Sequence, residues 1–213
     1  MDYNQQSVNI FNRKAQRYQD KYMDLSSCID TFSAFIAGLS KSKSRVLELG
    51  CGPGNISHYL LKQNPEFSIL ATDLAPNMLA LAKQNNPSVE VMLLDCRELN
   101  CLQERFDGIM CGFCLPYLTQ QQAFNLIRDA ARRLLENGVL YISCMEGCEL
   151  APKIDVSDNS DKMYTYFHRG ETLVSALKGA GFNLVDIQRK RQASPIGEVT
   201  ELFITARLDK VIT

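Results

Sequence analysis

Glu48-Leu49-Gly50-Cys51-Gly52-Pro53-Gly54 lies between a short apolar strand, Arg45-Val46-Leu47-Glu48-Leu49, and a helix expected from about Asn55 to Gln63. Glycine lets a backbone turn sharply between two such elements and lets a ligand approach the main chain closely. The helix that follows offers free N–H groups and a partial positive charge, which favour an anionic group. A tight strand-to-helix turn can also need glycine for its own sake, so the reading depends on what surrounds the loop.

Downstream, strand and helix patterns alternate. Phe67-Ser68-Ile69-Leu70-Ala71-Thr72 reads as a second strand, followed by a helix entered at Pro76, where the missing N–H costs nothing. Val89 to Leu94 is a third strand and Phe106 to Cys111 a fourth. Gln120 to Leu135 is an amphipathic helix, and Gly138 to Ser143 a fifth strand. The pattern lapses over Glu146 to Asp161. A helix then runs from about Gly170 to Ala180, and Phe182 to Ile187 and Glu201 to Ala206 form a final, antiparallel pair around the turn Ser194-Pro195-Ile196-Gly197. This order predicts an α/β fold: a doubly wound, mostly parallel sheet of seven strands with an antiparallel last strand. Upstream, Phe11, Ala15, Tyr18 and Tyr22 recur at helical spacing, as do Leu25, Cys28, Ile29, Phe32, Phe35, Ile36 and Leu39, so residues 1–43 form an N-terminal helical cap. We expect one domain over 1–213, with a core at 44–145, a lid or substrate segment at 146–169, and a closing helix and strand pair at 170–213.

Carboxylates recur where strands end. Asp73 closes the second strand, roughly 20 residues beyond the loop, where a ribose-binding acid is expected. Asp95 closes the third, and Glu48 lies inside the first. Each has a plainer reading, Asp73 as a cap before Pro76 and Asp95 as a cap for the turn at Arg97. Their convergence on one crevice at the strand C-termini favours a ligand.

The loop, Asp73, Asp95 and Phe106-Asp107 together resemble the seven-stranded, class I S-adenosylmethionine-dependent methyltransferases, whose fold is Rossmann-like. Gly179-Ala180-Gly181-Phe182 is similar to that family's last helix-to-strand junction. The resemblance implies S-adenosylmethionine as cofactor. Gly50, Cys51 and Gly52, beside Glu48, would line its methionine part. Asp73 would accept from the ribose hydroxyls, Leu74 and Met78 would pack on the adenine, and Asp95 and the Cys96 N–H would read its edge. Cys111, at the end of the fourth strand, and Tyr18, on the N-terminal helix with Tyr22, complete the set. Phe113, Tyr117, Tyr164 and Tyr166 would form an aromatic mouth for the substrate, since aromatic faces suit a sulfonium.

Two rivals remain open at this point. A nicotinamide oxidoreductase would need G-x-G-x-x-G/A, but Asn55 stands where its third small residue belongs. A protein of this fold could also bind the cofactor and catalyse nothing. Methyl transfer needs mainly alignment, and a base only if the acceptor must lose a proton early. His168 is the candidate base, with a surface or capping role as the alternative; His58 reads as structural. Gly112-Phe113-Cys114-Leu115-Pro116-Tyr117 replaces the Asn/Asp-Pro-Pro-Tyr/Phe of methyltransferases acting on exocyclic amines. With 23 Lys+Arg against 24 Asp+Glu, this points to a small-molecule acceptor rather than nucleic acid.

The chain has 213 residues, 46% of them hydrophobic and 22% charged, which excludes a disordered tail, a fibre or a coiled-coil rod. No stretch approaches the roughly 20 apolar residues of a membrane span, and the first residues carry no apolar signal core. The eight cysteines sit in apolar segments and read as reduced thiols of a cytoplasmic protein. Cys111, Cys114, Cys144 and Cys148 could approach one another, but their spacing lacks a zinc framework, so no metal is expected. Arg189-Lys190-Arg191 reads as a solvated turn. Oligomeric state is not encoded in these patterns.

Overall fold

Central strands carry apolar residues on both faces, and this decides the layering. In β1 (Arg45–Leu49), Leu47 and Leu49 enter one buried cluster and Val46 the other. Burial on both faces characterises a parallel strand covered by helices on each side. The computed structural model describes residues 3–149, 151–156, 161–194 and 197–209, the side chains of 193 and 194 excepted.

β3 (Glu90–Leu93), β2 (Ser68–Asp73), β1, β4 (Phe106–Cys111), β5 (Leu134–Glu146), β10 (Gly197–Leu208) and β9 (Phe182–Ser194) lie side by side in that order. β1 to β5 pair in parallel, and β10 runs antiparallel to both β5 and β9. The strand order reverses beside β1, so its C-terminal end opens at a topological switch point, where such sheets bind ligands.

Helices cover both faces. On one, α6 (Gln120–Arg133) buries Ala123, Leu126, Ile127 and Ala130, and α7 (Gly170–Gly179) adds Leu173 and Leu177. Thr119 and Gln122 start α6 with a reciprocal capping box. On the other face, α4 (Asn55–Gln63) and α5 (Pro76–Asn85) bury Ile56, Leu60, Leu79 and Ala82.

Several expectations are corrected. An eighth strand, β8 (Phe167–His168), pairs with the end of β5. The stretch read as patternless contains β6 (Lys153–Val156), which pairs with β7 (Lys162–Thr165) as an antiparallel ribbon, so this segment is partly ordered by its own ladder. β9 and β10 run longer than expected. Arg189, Lys190 and Arg191 lie within β9 rather than in a turn, ion-paired to Glu146, Asp30 and Glu198. Pro195 and Ile196 of the expected turn lie outside the described residues.

The N-terminal cap breaks at Lys14, whose backbone leaves helical angles, into α1 (Tyr3–Arg13) and α2 (Ala15–Tyr22). A 3-10 turn at Ile29–Phe32 then leads into α3 (Ser33–Gly38). Asn12 binds Asn77 on α5 through both its side-chain and main-chain oxygens, and Gln19 accepts from Asn85. Asn55 donates to the Tyr22 carbonyl. These bonds hold α1 and α2 across the C-terminal ends of β1 and β2. No helix among the described residues is long and apolar enough to cross a membrane.

Candidate functional site

The turn after β1 is built on positive φ angles: +61° at Gly50, +53° at Gly52 and +80° at Gly54. At Gly50 an added Cβ would stand 2.4 Å from the Cys114 sulfur, so the residue is fixed by crowding as well as by its angle. Gly52 differs. An added Cβ would meet only a Tyr18 ring carbon, at 3.7 Å, an ordinary contact, so it is the positive φ rather than crowding that calls for glycine here.

Asp73 clamps this turn. One oxygen accepts from Gly52 N–H at 2.9 Å and the other from Ala75 N–H at 2.8 Å, while Cys51 N–H binds the Thr72 carbonyl at 2.8 Å. The cap role expected for Asp73 therefore exists together with an inward position. Burial raises its pKa, partly offset by the backbone N–H groups.

Gly50, Cys51, Gly52, Asp73, Leu74 and Met78 line one crevice. Asp95, Cys96, Phe113, Tyr117 and Tyr18 complete the expected residues found there. Asp95 is more engaged than the sequence suggests: Arg97 holds both its oxygens, through Nε at 3.0 and 2.9 Å and Nη2 at 2.6 Å. Phe113 adopts φ +59°, a costly angle for an aromatic residue, with its N–H on Ser143 Oγ at 2.7 Å.

Phe11 forms edge contacts with Tyr18 at 5.6 Å and Tyr117 at 5.0 Å, closing the mouth. Burial drives the pKa values of both tyrosines well above the ordinary phenol value, so both phenols stay protonated.

Other expected residues lie elsewhere. Glu48 is buried beneath the loop, one oxygen bonded to Ser57 Oγ and the other without a partner. Cys111 reaches the crevice only through Cys114, whose sulfur contacts those of both Cys111 and Cys96. Cys144 stands apart among Glu146, Arg189 and Glu201, so the four-thiol grouping is replaced by Cys96–Cys114–Cys111. All eight cysteines are free, and no three metal-binding side chains among the described residues are disposed to hold an ion. Tyr164 stacks on Tyr3 at 4.0 Å, and Tyr166 N–H donates to the Pro116 carbonyl.

His168 does not line the crevice. It is 2% exposed, with Nε2 2.9 Å from the Leu115 carbonyl and Nδ1 unpartnered, and burial lowers its pKa. The ring pins β8 to the turn that carries Tyr117. We expect His168→Ala to lose about 2 kcal/mol of folding stability. Ligand affinity of the folded protein should change less than about threefold, as read by urea unfolding and calorimetry; a larger drop in affinity would give the ring a direct role at the crevice.

The crevice also contains residues the sequence had not placed in it: Asn4, Ser7 and Val8 from α1, Asn55 and Ile56 from α4, and Cys114. Phe11 was counted as helix core. Its role depends on how α1 docks, which local spacing does not carry.

Residues 46–138 match a family model described as a methyltransferase domain. The chain is 44% identical over 106 residues to trans-aconitate 2-methyltransferase of Methylobacterium nodulans, covering 50% of this chain and 40% of that one. It is 30% identical over 145 residues to a malonyl-(acyl-carrier protein) O-methyltransferase of a Paenibacillus, covering 62% of this chain and 52% of that one. The chain spans about half, or less, of the length of these curated relatives. Among solved structures, it resembles Burkholderia thailandensis 1,6-didemethyltoxoflavin-N1-methyltransferase with bound 1,6-didemethyltoxoflavin and S-adenosylhomocysteine. The TM-score is 0.73 at 23% identity, over 98% of this chain and 90% of that one, a likeness of fold.

Proposed function

We propose, from the membership of this chain in the class I S-adenosylmethionine-dependent methyltransferase family, that it acts as one domain moving a methyl group from S-adenosylmethionine to a small-molecule acceptor. The observation that carries this reading is the positive-φ turn Gly50–Gly52 lining the crevice, with its Gly52 N–H held by a carboxylate fixed at the end of β2. A glycine turn that exposes its main chain next to a fixed acid fits an amino-acid moiety joined to a ribose.

The backbone at Gly50–Gly52 would hold the methionine part, Asp73 the ribose, and Leu74 and Met78 the adenine. Asp95 and the Cys96 N–H would meet the adenine edge, with Arg97 fixing the carboxylate's orientation. When bound, S-adenosylmethionine supplies a methyl carbon on a sulfonium: an acceptor lone pair bonds to it as the C–S bond breaks, leaving the neutral thioether.

The chain's own contribution is alignment and exclusion of water. Phe11, Tyr18 and Tyr117 close the mouth with aromatic faces suited to a cation. With both phenols protonated and no histidine or lysine among the described lining residues, the reading favours an acceptor whose lone pair is already available. The near-neutral chain and the covered mouth support a small molecule over nucleic acid. The free thiols support a reducing, cytoplasmic setting.

The test is a methyl-transfer assay of the purified chain with labelled donor and a metabolite panel. Acceptor-dependent formation of labelled product is expected. Cofactor binding without turnover across the panel would favour a non-catalytic binder.

A further inference from the structure

A second groove adjoins the crevice and shares Phe11, Tyr18 and Tyr117 with it. One wall is α2 with the junction before it, and Lys14, Arg17 and Lys21 there all face the groove. Their spacing, three and then four residues, places them on one side of the helix. Met145, Met163 and Thr165 contribute from β5 and β7. The geometry points to this groove as the acceptor site, and to a carboxylate-bearing small molecule as its occupant.

Charge accounting supports an anion. Two acids also face the groove, Asp155 and Asp161. Asp161 is held by Lys14 at 2.8 Å and by Arg13 at 2.5 Å. Those bonds tie the α1–α2 junction to the ribbon and remove Asp161 as a competitor. Arg17 and Lys21 have no ion-pair partner among the described residues, and Asp155 offsets only one positive charge. A guanidinium and an ammonium one helical turn apart suit a carboxylate, Arg through paired N–H donors and Lys as a point charge. The shared aromatic wall lies between that anchor and the sulfonium side, so an acceptor held by its carboxylate would reach across Tyr18 and Tyr117 to the methyl group.

This inference rests on the methyl-transfer reading, and the experiment separates the two. The full chain is first titrated with S-adenosylhomocysteine. Failure to bind would overturn the methyl-transfer reading and this one with it. The saturated protein is then titrated with succinate, citrate and benzoate and with the corresponding amides. At least one acid is expected to bind tenfold or more tightly than its amide. That preference should vanish in the double variant Arg17→Glu/Lys21→Glu, whose affinity for S-adenosylhomocysteine should stay within twofold of wild type. Acids that bind no better than amides, including the case where neither binds, would overturn the acceptor proposal alone. So would a preference that survives the charge reversal.

Discussion

Asp73→Ala is expected to weaken binding of S-adenosylhomocysteine by about 100-fold or more if, as proposed, its carboxylate holds the ribose. Two ribose hydroxyls donating to an ionised carboxylate are charge-assisted bonds worth about 1.5–3 kcal/mol each, so even the lower value gives about 3 kcal/mol. The same carboxylate also binds Gly52 N–H at 2.9 Å and Ala75 N–H at 2.8 Å, so its loss frees two donors of the loop. A fall in folding stability of about 1–2 kcal/mol therefore accompanies the binding loss. Asp73→Asn separates the effects: the amide oxygen still caps one N–H, while the charge is gone. It should retain more stability than the Ala variant yet bind the ligand at least about tenfold more weakly than wild type. Calorimetry below the unfolding transition reads the affinities, and unchanged affinity in Asp73→Ala would remove the ribose assignment.

Glu48→Gln changes the pH dependence of stability. Burial pushes the Glu48 carboxyl up to about 8, Asp73's charge adds to the rise, and bonds from Ser57 oppose it. In the unfolded chain the group titrates near 4.5. Below that value both states are protonated. Between about 4.5 and 8 the native state holds one proton more, so stability falls as pH rises. Above 8 both states are ionised and the whole loss remains. The span corresponds to an upper bound of about 5 kcal/mol. Gln cannot ionise, and any constant cost of burying its amide cancels in the comparison of two pH values. The difference in unfolding free energy, variant minus wild type, should rise by up to about 5 kcal/mol in the variant's favour from pH 4 to pH 9. A difference that stays flat would show that Glu48 is ionised throughout or solvated.

The sheet could be read from the chain because its information is local. Val46, Leu47 and Leu49 signal two-sided burial within five residues, and each glycine of the loop marks a turn where it stands. What escaped depends on pairing across distance. β6 and β7 are four-residue strands that exist because Ile154 faces Tyr164 across the ribbon, not because either pattern is strong. β9 continues past Ile187 through Gln188 to Arg191 because β10 supplies ladder partners and Glu146 and Asp30 supply charges. Polar residues on such a strand look like a turn in isolation.

The site shows the same division. Asp73 and Asp95 could be placed because strand ends are visible in sequence. Cys96 beside Cys114 could not, since seventeen residues, including all of β4, intervene. The helix break at Lys14 lacks a glycine or proline, and Lys14 pairs with Asp161, a partner far along the chain that local spacing cannot show. Beyond the break, α2 places Tyr18 against Gly52 and Arg17 on the neighbouring groove.

The central claim is that the crevice beside Gly52 and Asp73 takes a nucleoside joined to an amino acid. The most direct measurement is calorimetric titration of the wild-type chain with S-adenosylhomocysteine and NAD side by side. Saturable one-to-one binding of S-adenosylhomocysteine, with no measurable heat from NAD at equal concentration, is the predicted result. Binding of NAD without binding of S-adenosylhomocysteine would contradict the claim.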